Sequence, residues 1–166
     1  MSATKTGQSE THEGSIFRAA YQESASGSLR CPQCPHPLDL MVGNAELIPL
    51  PDESQDAVTS ILMFHELPPK VRRIVLSEFA RVLKPGGRLV LVDSLQHGDE
   101  PDYDGLLELF PQSFHEPYYL SYIKEDFAAL CQDRGLTYIR NARAFVSKVI
   151  VFDKPAGPAA TAARTA

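Results

Sequence analysis

The chain has 166 residues, 16 basic against 21 acidic side chains for a net charge of −5, and three cysteines. At about 150 residues per domain this allows one domain and excludes a multidomain machine, while the acidic balance and the absence of a basic run argue against a nucleic-acid partner. Too few cysteines for a disulfide framework point to a reducing compartment; with no signal-peptide core in residues 1–8 and no apolar run near the ~20 residues that cross a bilayer, a cytoplasmic protein without a membrane segment is expected.

Residues 1–28 carry only Ile16, Phe17 and Tyr21 as bulky apolar side chains, too few to offset ordering, and residues 1–37 are expected to be a flexible segment. Within it, Cys31-Pro-Gln-Cys34 has the form of one zinc knuckle. A tetrahedral site needs four ligands and only His36 is close by, so a proline-favoured surface turn is the preferred reading and no metal is expected.

From residue 38 the pattern becomes regular. A short apolar run over 38–42 reads as a strand, followed by Gly43-Asn44-Ala45-Glu46 and a turn through Pro49, Pro51 and Asp52. Residues 57–63 are apolar without alternation, as in a strand covered on both faces. After Pro68 and Pro69, residues 70–83 place Val71, Ile74, Val75, Phe79, Val82 and Leu83 three and four apart, with Arg72, Arg73, Ser77 and Arg81 opposite, which predicts an amphipathic helix. Lys84-Pro85-Gly86-Gly87 stops it, and residues 88–93 predict a second doubly covered strand.

A further helix is predicted over 124–134, with Phe127, Ala128, Leu130 and Cys131 inward and Gly135 as its stop. Two strands over 136–143 and 145–153 are too close in sequence for a crossover and must be antiparallel to one another. Residues 155–166 are a small-residue tail, expected to be disordered. The element order is that of an α/β sheet ending in an antiparallel hairpin.

Three segments in fixed order, GNAELIPLPDESQDAV at 43–58, FHEL at 64–67 and EFARVLKPGGRL at 78–89, are similar to the class I S-adenosylmethionine-dependent methyltransferases with a type 11 domain. The resemblance covers residues 38–154. It implies a Rossmann-like, mostly parallel sheet of order 3-2-1-4-5-7-6, S-adenosylmethionine as cofactor, and methyl transfer to a small-molecule acceptor. It further implies that Asn44 bonds the adenine amine, that Ala45 offers its backbone amide, and that Met63, Phe64 and His65 line the methionine end and face the acceptor.

The chain departs from that pattern in lacking a Gly-x-Gly-x-Gly loop and a strand ending in an acid before Asn44. It reads as a domain truncated at its N-terminal side. Losing the family's first two strands leaves the 57–63 strand with a bare edge or re-pairs it, and a bare apolar edge favours a homodimer. A methyltransferase-like binding protein without activity is therefore the alternative function; labelled-cofactor binding discriminates the two.

Methyl transfer depends mostly on placing the acceptor, but a hydroxyl acceptor benefits from a base, and His65, His115 and Asp93 are the candidates. The bland reading of His65 is a strand-tip residue bonding backbone near Pro68. His115 lies in a segment where the resembled family builds its acceptor lid. Asp93, Asp99, Glu100, Asp102, Asp104, Glu108 and Glu116 fall between Leu89 and Ile123 without a Lys or Arg, either a solvated loop or a lid that repels anionic acceptors. Tyr118, Tyr119 and Tyr122 either line an aromatic site or pack a helix on the sheet. Phe-His-Glu occurs twice, at 64–66 and 114–116.

Overall fold

The computed structural model describes residues 28–30, 37–39 and 41–157, in two units divided after Asn44. In the first, β1 (Ser28–Arg30) pairs antiparallel with β2 (Pro37–Asp39). The strand expected over 38–42 is thus part of a separate two-stranded ribbon, not the first strand of the main sheet. Cys31, Cys34 and His36 lie outside the described residues, as do most of the flexible segment and the tail beyond residue 157.

The second unit holds a four-stranded sheet of order β3-β4-β6-β5. β3 (Gln55–Ile61) runs parallel to β4 (Leu83–Ser94), and β6 (Ser147–Asp153) lies antiparallel between β4 and β5 (Thr137–Ala144). This reproduces the 4-5-7-6 half of the order that the resemblance implied. A two-residue turn joins β5 to β6, with Phe145 at φ 56. The outer edge of β3 has no partner strand among the described residues.

One face of the sheet is covered. α1 (Pro69–Val82) and α4 (Phe127–Gln132) pack against one another and against β4 and β5 respectively. With α2 (Asp104–Ser113) and α3 (Tyr119–Tyr122) they enclose Val75, Leu76, Phe79, Leu89, Leu91, Leu107, Phe127, Ile150 and Phe152. The expectation of strands covered on both faces is corrected here. Val58 packs on the core while Ile61, on the opposite face of β3, is 64% exposed, and β4 alternates buried with half-buried positions. An unbroken apolar run signals burial without telling how many faces are covered. No helix among the described residues is long and apolar enough to cross a membrane.

α1 begins with Pro at its first position, where the missing N–H would lack a partner in any case. Arg72, assigned by periodicity to its polar side, is instead fully buried. The predicted 124–134 helix shortens to α4, with Asp126 capping it by accepting from the Ala129 N–H; Phe127, Leu130 and Cys131 turn inward but Ala128 is exposed. Gly135, at φ +74, ends the segment as expected.

The Lys84-Pro85-Gly86-Gly87 turn is a swelling in β4: Gln55 pairs with Leu83, but Ala57 pairs with Arg88. A Cβ on Gly87 would sit 2.8 Å from the Lys84 carbonyl oxygen and 3.1 Å from that of Asp56, both backbone atoms with little room to yield. Gly87→Ala is expected to cost about 2 kcal/mol, at the centre of the range for overpacking, in urea denaturation followed by circular dichroism. An unchanged midpoint would show that the strand gives way freely.

Candidate active site

The sheet places its chemistry at the carboxyl ends of β3 and β4. Leu62, immediately after β3, adopts φ 50 and donates its N–H to the Val92 carbonyl at 2.8 Å. A branched side chain in the left-handed region costs about 1–3 kcal/mol and persists only where the surroundings enforce it. The result is a reversal that sends Met63 into a 3-10 turn over Phe64–Glu66, folded back across the sheet end.

Asp93, near the end of β4 and buried, fixes that turn. Its Oδ2 accepts the Phe64 N–H at 2.8 Å, and Oδ1 accepts the Ser94 N–H at 2.8 Å and His65 Nδ1–H at 2.6 Å. A carboxylate only accepts, so the His65 proton resides on Nδ1 and the Nε2 lone pair points away from Asp93. Burial opposes charge on His65 and is the largest single influence, yet the hydrogen bond and charge of Asp93, with the charges of Glu66 and Glu116, outweigh it and raise its pKa above the ordinary value.

Around His65 stand Glu66, whose Oε1 is 3.6 Å from Nε2, and Glu116, from the loop before α3; ligand atoms of the three lie within 4.8 Å of one another. Burial, then the neighbouring Glu66 charge, pushes the Glu116 carboxyl upward. The rings of Tyr119 and Tyr122 meet the His65 ring edge-on, each with centroids 6.1 Å away. Tyr119 and Ser94 share a hydroxyl hydrogen bond at 2.5 Å, and the Tyr122 hydroxyl donates to the Ser94 carbonyl at 2.6 Å. Burial raises both phenol pKa values, most strongly at Tyr122.

Beneath this layer, Arg72 donates from Nε to the Phe64 carbonyl at 2.9 Å and from Nη2 to the Tyr118 carbonyl at 2.8 Å, pairs with Glu125 at 3.3 Å, and lies over the Tyr122 ring. On the other side of α1, Arg81 donates to the carbonyls of Ile48 and Leu50 and to Asp52, while Glu78 accepts the Ile48 N–H. The two clamp residues 48–52, the approach to β3, onto the helix.

Of the residues singled out from sequence, His65 and Asp93 come together. His65 bonds Asp93 and not the backbone near Pro68. Met63 and Ala45 are partly buried against the core, and Asn44 is exposed at the end of the first unit. The Phe64 ring is packed between Phe79 and Phe127 while its N–H and carbonyl are spent on Asp93 and Arg72, so Phe64 holds the turn and offers no free donor to a ligand. His115 is exposed beside Glu116 and makes no hydrogen bond with His65. Part of the acidic segment is engaged in pairing: Asp99 with Lys148 and Glu100 with Arg143. Tyr119 and Tyr122 do pack, but with their hydroxyls committed to β4. Glu66, Glu116 and Arg72 were not read as site residues, although the repeated Phe-His-Glu was the available signal for the first two.

Residues 15–91 match a family model described as a methyltransferase domain. The match takes in just under half of the chain, which over those residues is similar to that family. The match starts well before residue 38, so part of the segment expected to be flexible is similar in sequence to the domain. A demethylmenaquinone methyltransferase of Listeria welshimeri is 31% identical over 126 residues, covering 63% of this chain and 51% of the relative. A ubiquinone/menaquinone biosynthesis C-methyltransferase of Methylobacterium nodulans is 38% identical over 73 residues, covering 44% and 28%.

The chain thus spans about half, or less, of the length of these relatives. Among solved structures, an S-adenosylmethionine-dependent methyltransferase of Methanosarcina mazei superposes with a TM-score of 0.51 at 17% identity, covering 72% of this chain and 68% of that one. A chain from the complex of the Haloferax volcanii Trm112 methyltransferase activator with a methyltransferase gives 0.53 at 18%, covering 70% and 62%. These two establish the fold.

Proposed function

We propose that the chain transfers a methyl group from S-adenosylmethionine to a small-molecule acceptor at the carboxyl ends of β3 and β4, with His65 facing the acceptor. The observation that carries this is the His65–Asp93 pair held at 2.6 Å at the end of the two parallel strands, where open α/β sheets bind their ligands. The cofactor, when bound, supplies an electrophilic methyl group on a sulfonium. The carboxylate of Asp93 suits that positive charge, and among the described residues no Lys or Arg pairs with it.

Ala45, Met63 and His65 are proposed to meet the cofactor, with Phe64 holding the turn that carries them; the role of Asn44 at the adenine rests on the resemblance alone. Orientation is what these residues contribute, since a displacement on a bound methyl depends above all on holding the reacting atoms in line. The quinone-directed relatives suggest an aromatic ring as acceptor. Phe114, largely exposed, and the half-buried Phe110 stack with centroids 4.6 Å apart over the buried Tyr119, 4.9 Å from Phe110, and offer a ring face chemically matched to one.

Equilibrium dialysis with labelled S-adenosylmethionine tests the reading. Saturable binding that weakens on Met63→Glu is the expected result. No uptake at millimolar cofactor would overturn it and leave a binding protein without activity as the better account.

A further inference from the structure

We propose that His65, Glu66 and Glu116 form a binding site for a first-row divalent transition-metal ion, with Asp93 as the residue that orients the histidine. The inference rests on the acceptor site described above for its location, but not on methyl transfer for its chemistry.

Three donor atoms of the right kind converge. His65 offers an imidazole nitrogen whose lone pair is turned outward because Nδ1–H is spent on Asp93 at 2.6 Å. Metal-bound histidines are held by such a carboxylate on the other ring nitrogen, which fixes the tautomer and the ring plane. Glu66 Oε1 lies 3.6 Å from Nε2, close to the ~3.4 Å that separates two ligands about 2.1 Å from a tetrahedral ion. The Glu116 ligand atom lies within 4.8 Å of both; a rotation of its flexible side chain closes the remainder.

Two features of Glu116 point to a missing partner. Its Oε2 is buried and has no hydrogen-bond partner among the described residues, a cost of about 1–3 kcal/mol that native structures rarely leave unmet. Its carboxyl also stands beside Glu66, to which it is hydrogen-bonded, a contact between two acids that needs a shared proton or a cation, and among the described residues no Lys or Arg pairs with either. A divalent ion satisfies both at once. One nitrogen and two carboxylate oxygens favour manganese, iron or zinc over calcium and magnesium, which prefer oxygen alone. Three protein ligands leave a coordination position open, where an acceptor oxygen would bind and lose its proton more easily.

Both glutamates come from the two copies of Phe-His-Glu, the first in the turn after β3 and the second in the loop before α3. An ion would therefore tie that loop to the sheet end.

Titration of the full-length chain with Mn²⁺, followed by electron paramagnetic resonance of the free ion, tests the site; manganese is chosen because thiolates such as those of Cys31 and Cys34 hold it poorly. Uptake of one equivalent is expected, displaced by Zn²⁺. Glu66→Gln and Glu116→Gln should each weaken it by at least the 10–100-fold typical of losing even an outer-shell partner, and Glu108→Gln should leave it unchanged. No uptake at millimolar Mn²⁺, or uptake indifferent to both glutamine variants, would overturn the proposal. Because the readout is metal in the absence of S-adenosylmethionine, a chain that binds the ion but not the cofactor would sink the methyltransferase reading and keep the metal site.

Discussion

Arg72→Ala should lower the stability of the folded chain by about 3–5 kcal/mol, the cost of removing one member of a buried ion pair. The guanidinium is 0% exposed, and burial lowers its pKa, opposed by Glu125. Removing it takes the charged donor from the Phe64 and Tyr118 carbonyls, which keep only backbone and hydroxyl donors of their own turns, and leaves Glu125, among the described residues, with the exposed Arg73 3.1 Å away as its one cationic partner. Against a total of about 5–15 kcal/mol for a domain, that is a large share. Arg72→Lys keeps the charge but replaces a fork of donors by a single point, so it should recover only part of the loss. Urea denaturation followed by circular dichroism measures both. A loss below about 1 kcal/mol for alanine would mean that water replaces the guanidinium, and that the 3-10 turn is held by Asp93 alone.

Arg72 also shows where sequence reading stops. Its place among Arg73, Ser77 and Arg81 makes it a surface residue by helical period, and the assignment fails because the polar contacts that make burial tolerable come from Phe64, Tyr118 and Glu125, the last two some fifty residues away in the chain. Periodicity sees a residue's own helix and nothing across from it. The neighbouring Val75, Phe79 and Val82 were legible because an apolar side chain needs only to be inward, whatever it meets.

The order of the sheet was legible for a related reason. Two strands with no room for a crossover must pair antiparallel, and a helix between apolar runs makes a parallel pair right of it. How far the strands were covered was not, because β3 and β4 carry the same kind of apolar run although, among the described residues, only one face is packed. The motifs that carried the resemblance have a physical link as well. Glu78 and Arg81 of EFARVLKPGG hold the backbone of Ile48 and Leu50 in GNAELIPLPDESQDAV, so the two segments occur together because one fastens the other. At the site, His65 and Asp93 could be named singly from their places after apolar strands. Their pairing needed the left-handed Leu62, which no local pattern announces, since any branched residue there is strained.

The second large effect is expected at Asp93. Asp93→Ala strips the acceptor from three donors at once, the N–H groups of Phe64 and Ser94 and the His65 Nδ1–H. With each orphaned donor costing about 1–3 kcal/mol and some relief from rearrangement, a loss near 3 kcal/mol is expected. Asp93→Asn retains one oxygen, enough for some of these bonds, and should cost about half as much. The two variants also separate structure from chemistry. In the native chain a carboxylate keeps the His65 proton on Nδ1; an amide can instead present its NH₂ to that nitrogen and move the proton to Nε2, blocking the lone pair without unfolding the turn. Nitrogen-15 shifts of the His65 ring would reveal that exchange. If Asp93→Asn folds like the native chain and keeps the proton on Nδ1, then Asp93 holds the turn but does not set the chemistry of His65. If the proton moves, the outward lone pair is a product of Asp93, and both acceptor placement and metal uptake should weaken with it.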